Sequence, residues 1–136
     1  MMPGRVRAAV RKIVPYWVVA VLVGSFLPGS LKDLIGTRPY ISNHPVEWQH
    51  RLAHFLTFGL TALLFMLLAE RRREEAFLAV AAFLLGCLIE FAQFAVGFAL
   101  VVEWWDIRDD FLAALGAFAA FEVTRLIMAF RRSRLL

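Results

Sequence analysis

Polar positions are so sparse along this chain that long apolar runs, rather than alternation, carry the structural reading. Continuous apolar segments cover 13–28, 52–69, 76–102 and 111–130. Each is near or above the roughly 20 residues with which a helix crosses about 30 Å of hydrocarbon. Barrel strands would alternate every second residue, and these runs do not. The pattern predicts an all-α integral membrane bundle of four transmembrane helices, with residues 1–136 forming a single domain. The first two runs are short, and Tyr16, Trp17 and Trp48 are spaced to anchor them at the interface. The longest polar stretch, 29–51, holds the turn formers Gly36, Pro39, Asn43 and Pro45, with His44 and His50. It predicts a small lid or re-entrant segment over the outer mouth of the bundle. Glu70 to Glu75 predicts a tight helical hairpin turn with self-compensating charge.

Composition agrees with the membrane reading. Hydrophobic residues make up 61% of the 136 residues and mean hydropathy is +0.69, against about 45–50% apolar content in soluble domains. Basic residues gather at three places: Arg5 to Lys12, Arg71 to Arg73, and Arg131 to Arg134. With four spans, all three lie on one side of the membrane. The positive-inside rule then puts both termini in the cytoplasm, as expected of a multi-pass protein of the bacterial cytoplasmic (inner) membrane. The net charge of +4 thus reads as a topology signal. Its scatter over span ends argues against nucleic-acid binding. Phe26-Leu27-Pro28-Gly29-Ser30 is a poor small-residue cleavage site, so the first run reads as a retained span. Cys87, the lone cysteine, reads as core filler.

Candidate chemistry lies where polar residues enter the apolar runs. Glu90 and Gln93 are the only side chains from Ala76 to Val102 outside Ala, Gly, Cys and the large hydrophobes. A carboxyl at that depth is costly and needs a partner or a proton. At about 1.5 Å per residue, His54 lies about 22 Å above the cytoplasmic end of its span, Glu90 about 21 Å and Gln93 about 26 Å. Arg51 lies one turn above His54, and Asp109 and Asp110 stand at the mouth of the last span. Three segments therefore bring polar groups to the same outer third of the bilayer. Helical spacing aligns Gly86, Glu90, Gln93 and Gly97 on one stripe, and His50, His54, Thr57 and Thr61 on another. Ala113, Ala114, Gly116, Ala117 and Ala120 offer a small-residue face for close helix approach. Glu122 and Arg125, spaced i,i+3, read as a local ion pair at the inner end.

These residues admit more than one chemistry. His54 and Glu90 are candidates for a catalytic acid–base pair, although a hydrogen-bonded structural pair explains the same residues and is the commoner reading. Arg51, Gln93, Asp109 and Asp110 are candidate ligand-binding residues. His50, His54 and Glu90 have the number of ligands of a catalytic zinc site, but without a His-Glu-x-x-His motif no metal or other cofactor is assigned. Glu103, Asp106, Asp109 and Asp110 could hold a divalent cation, though solvated acids of a loop are the commoner reading. No Gly-x-Ser-x-Gly turn supports a serine nucleophile.

The pattern resembles the VanZ-like family of bacterial membrane proteins. The matching features are Arg51, His54 and Phe58, then Ile89-Glu90-Phe91-Ala92-Gln93, then Asp109 with Leu112 and Gly116-Ala117, together with the Pro28-Gly29-Ser30 exit from the first span. The likeness runs from about Ser25 to Ala120. Ala113 stands where the family tends to have Asn, His50 where Asp is common, and no Arg lies five residues before Asp109, so this is a divergent sequence. The resemblance implies a cell-envelope role linked to low-level resistance to teicoplanin-type glycopeptide antibiotics, and names no reaction. The resulting expectation is an outward-facing polar pocket that binds, modifies or repositions a lipid or lipid-linked cell-wall precursor. The alternatives are a non-enzymatic membrane partner or assembly subunit, or a homo-oligomer, in which the polar stripe only orders the bundle, and a small proton-coupled transporter.

Overall fold

The apolar runs coil into helices whose ends are set by polar chemistry. A computed structural model describes residues 4–27, 48–99 and 101–134. Among them are four helices and no strand: α1 (Gly4–Ser25), α2 (Trp48–Met66), α3 (Arg72–Ala95) and α4 (Trp104–Ser133). Two of these, α3 and the Trp104–Arg131 part of α4, are long and apolar enough to cross a membrane. Only 28% and 11% of their most apolar stretches are buried inside the protein. Phe77, Leu84, Leu88, Leu115, Leu126 and Phe130 are all exposed. Each would be costly in water at about 25 cal/mol per Å² of apolar surface, and such faces fit a hydrocarbon surrounding. The expected lid, including His44, and the Pro28-Gly29-Ser30 exit lie outside the described residues.

Helix ends do not coincide with the ends of the apolar runs. α3 stops at Ala95 although apolar residues continue to Val102. Gly97 takes φ 76°, a left-handed conformation that costs other residues about 1–2 kcal/mol. The turn is a Schellman motif. Phe98 N–H donates to the Gln93 carbonyl at 2.8 Å and Gly97 N–H to that of Phe94 at 3.2 Å. Gly97 therefore ends the stripe it was expected to share with Glu90. Replacing Gly97 with Ala is expected to cost about 1 kcal/mol, read as a lower denaturation midpoint in detergent; an unchanged midpoint would mean that this turn does not need glycine.

The larger correction concerns α4. Glu103 to Asp110 is not a loop of solvated acids. The Glu103 carbonyl accepts from Ile107 N–H at 3.3 Å, and the helix is under way from Trp104. Asp106, Asp109 and Asp110 fall on its inward face, at 2%, 0% and 0% exposure. They are buried because partners on α2 meet them.

At the other end, the Glu74 carboxylate caps α3 by accepting from the backbone N–H of Glu70 (2.7 Å) and Arg71 (3.0 Å). The charge of this turn is shared with other helices rather than compensated within it. Arg11 reaches Glu70 at 2.8 Å and Arg72 reaches Glu122 at 3.3 Å. Arg125 meets both Glu122 and Glu75 at 2.7 Å, so the expected local pair is part of a network joining α3 to α4.

The core is built from small residues, which let backbones approach closely. Ala62 and Met66 of α2, Ala79 and Ala82 of α3, and Ala114 and Ala117 of α4 form one buried cluster. Val21, Phe58, Ile89 and Ala113 form a second, joining all four helices. Gly116 and Ala120, expected on the same packing face, are exposed. Trp17 Nε1–H donates to Thr61 Oγ1 at 2.9 Å and ties α1 to α2.

Candidate functional site

The polar groups that helical spacing aligned on α2 and α3 meet the acids of α4 in one buried layer. A cavity of about 280 Å³ lies between the helices, lined by His50, His54, Glu90, Gln93, Glu103 and Asp106 among others. His50 and His54, one turn apart on α2, have ring centroids 4.7 Å apart, and His54 stacks on Phe58 at 5.8 Å. This fixes both imidazoles towards α4.

His54 is held from two sides. Its Nδ1 is 2.7 Å from Asp110 Oδ1, and its Nε2 is 3.4 Å from Asp106 Oδ2. His50 Nε2 lies 2.9 Å from the same Asp106 oxygen. An ionised carboxylate only accepts, so Asp110 orients His54 by accepting a hydrogen bond from its Nδ1–H. Asp110 in turn sits against Gly86 of α3. A β-carbon at Gly86 would collide with the Asp110 carboxylate and reach Phe58 Cε1 at 3.1 Å. A hydrogen side chain at Gly86 is what lets the carboxylate reach His54.

Arg51 and Asp109 form a second unit. Arg51 donates from Nε to Asp109 Oδ2 at 2.7 Å, and Arg108 donates to Asp109 Oδ1 at 2.6 Å. The Asp109 hydrogen bond and charge raise the Arg51 guanidinium above its ordinary pKa, so it stays charged. Arg108 also covers the Trp105 ring at 4.4 Å. Two guanidiniums share one carboxylate, and both are partly exposed, at 43% and 40% of their side chains.

The expected His54–Glu90 pair does not form. His54 is taken by Asp110 and Asp106, while Glu90, at 4% exposure, faces the cavity without a hydrogen-bond partner among the described residues. Gln93 Nε2 donates to the Ser25 carbonyl at 2.6 Å, closing the cavity against the end of α1. Of the sequence candidates, His54, Glu90 and Gln93 line the cavity. Arg51, Asp109 and Asp110 lie beside or behind its wall, engaged with protein partners. Asp106, the acid between the two histidines, stands out in the sequence only as one of four acids from Glu103 to Asp110. Its spacing of three and four residues from Asp109 and Asp110 was the available signal, once the helix is started at Trp104.

No known protein family, characterised protein or solved structure matches this chain.

Proposed function

We propose that the chain is a four-span protein of the bacterial cytoplasmic membrane, VanZ-like in kind, with both termini in the cytoplasm. Its polar cavity opens towards the outer face and receives the polar headgroup of a lipid or of a lipid-linked envelope precursor, with Arg51 beside the cavity pairing an anionic phosphate. One observation carries this reading. A cavity lined by Glu90 and Gln93, with no hydrogen bond to Glu90 among the described residues, lies between largely apolar helices, beside two arginines that share one carboxylate. The Arg51–Arg108–Asp109 group carries a net positive charge at the end of the bundle. Guanidinium is the side chain best matched to phosphate oxygens. Apolar helix surface beside the cavity suits acyl or prenyl chains.

The test is to purify wild type and Glu90→Ala gently and identify co-purifying lipids by mass spectrometry. A headgroup enriched in wild type and reduced at least about tenfold in the variant supports a ligand site, the loss amounting to about 1.4 kcal/mol of binding. The same bulk lipid in both would replace this reading with that of a partner or assembly subunit whose polar layer orders the helices.

A further inference from the structure

We infer that His50, His54 and Asp106 form a three-ligand site for a divalent transition-metal ion, zinc by its donor chemistry, with its fourth position open to the cavity. The three residues each offer one ligand atom, and these atoms lie within 4.8 Å of one another. His50 Nε2 and His54 Nε2 stand 2.9 and 3.4 Å from Asp106 Oδ2. Ligand atoms around a tetrahedral zinc, with bonds of about 2.0–2.1 Å, are about 3.3 Å apart. Two imidazoles and one carboxylate with a free fourth position is the composition of an open zinc site rather than a closed structural one. Nitrogen donors also argue against calcium and magnesium, which take oxygen.

Three further observations point to an ion. First, His54 is already oriented as a ligand. Its Nδ1 faces Asp110 Oδ1 at 2.7 Å, leaving Nε2 for the metal, the carboxylate–histidine–metal arrangement. Second, acids gather there. Asp109 is matched by Arg51 and Arg108, whereas among the described residues Asp106, Asp110 and Glu90 are buried beside two imidazoles. A dication is drawn to such a group of carboxyls. Third, buried polar atoms are left over. Asp106 Oδ1 and Asp110 Oδ2 have no hydrogen-bond partner among the described residues, and Glu90 lines the same cavity. The site rests on this geometry alone and holds whether or not the cavity binds a headgroup. Glu90 lines the same cavity, within which a metal-bound water would lie.

The test uses the full chain, purified in detergent, stripped with chelator and dialysed against zinc, with bound metal counted by mass spectrometry. One zinc per chain is expected in wild type, and none in Asp106→Asn or His54→Ala. Asp110→Asn, which loosens the orienting carboxylate, is expected to lower affinity roughly 10–100-fold while keeping the stoichiometry. Cobalt substitution of wild type gives a readout independent of any variant's folding: the intense visible absorption of a tetrahedral nitrogen–oxygen site is expected. Absence of stoichiometric zinc in wild type, a weak octahedral cobalt spectrum, or undiminished zinc in well-folded Asp106→Asn would each overturn the site.

Discussion

Gly86→Ala is expected to destabilise the protein by about 2–3 kcal/mol, although alanine is the better helix former by about 1 kcal/mol. The added β-carbon would lie 3.1 Å from both Asp110 Cγ and Phe58 Cε1, with a carboxylate oxygen closer still. Asp110 cannot swing aside freely, because its carboxylate is bound to His54 at 2.7 Å and its residue is fully buried. Either the helices part or the His54 contact breaks, and each removes packing or a buried hydrogen bond. Denaturation in detergent measures the loss. A double-mutant cycle with Asp110→Ala identifies its cause. In the Asp110→Ala background Gly86→Ala is expected to become neutral or stabilising, because the obstacle is gone. A neutral Gly86→Ala in the wild-type background would show that α3 and α4 are not held this close.

Asp110→Ala is the second large effect, at about 2–3 kcal/mol. It removes the partner of a buried imidazole and leaves His54 Nδ1–H without an acceptor. The full 3–5 kcal/mol of a broken buried ion pair is not expected, because imidazole can give up its charge. Asp110→Asn keeps the shape and an acceptor oxygen, so its cost is expected to be about 1 kcal/mol. The ordering Ala worse than Asn, measured by the same denaturation, shows that shape and acceptor, rather than charge, are what the site uses. Equal losses would mean that the negative charge, which neither variant keeps, is what the site uses. If the metal site is occupied, the difference widens in zinc-loaded protein, because ion binding adds to the stability of the folded form.

The two substitutions probe the same point from opposite helices, and nothing local in the chain announces it. Gly86 could be assigned to the stripe of Glu90 because a helix repeats every 3.6 residues, which is a property of neighbouring positions. That Asp110, 24 positions later in the numbering, would occupy the space beside it depends on how α3 and α4 cross. The same holds for Asp106. A carboxylate nine residues past the left-handed turn at Gly97 looks like one more solvated acid until the helix is seen to begin at Trp104 and α2 is seen to face it.

Periodicity and hydropathy were enough for the helical nature of the chain, for two segments able to cross a membrane, and for the alignment of His50 with His54 and of Glu90 with Gln93. Those features follow from helix geometry and from transfer of side chains between solvents, and both act over a few consecutive residues. Even the end of α3 was available in principle, since glycine is the residue that most readily takes the left-handed turn there. The pairings were another matter. His54 with Asp110 and Asp106, Arg51 with Asp109, and Arg125 with Glu75 all join groups 50 or more residues apart, and the expected Glu90 partner of His54 is passed over. Several acids compete for each cation or imidazole, and their identities alone do not rank them. Only the crossing of α2, α3 and α4 selects among them, because it decides which charges are buried together and which buried charges must find a partner.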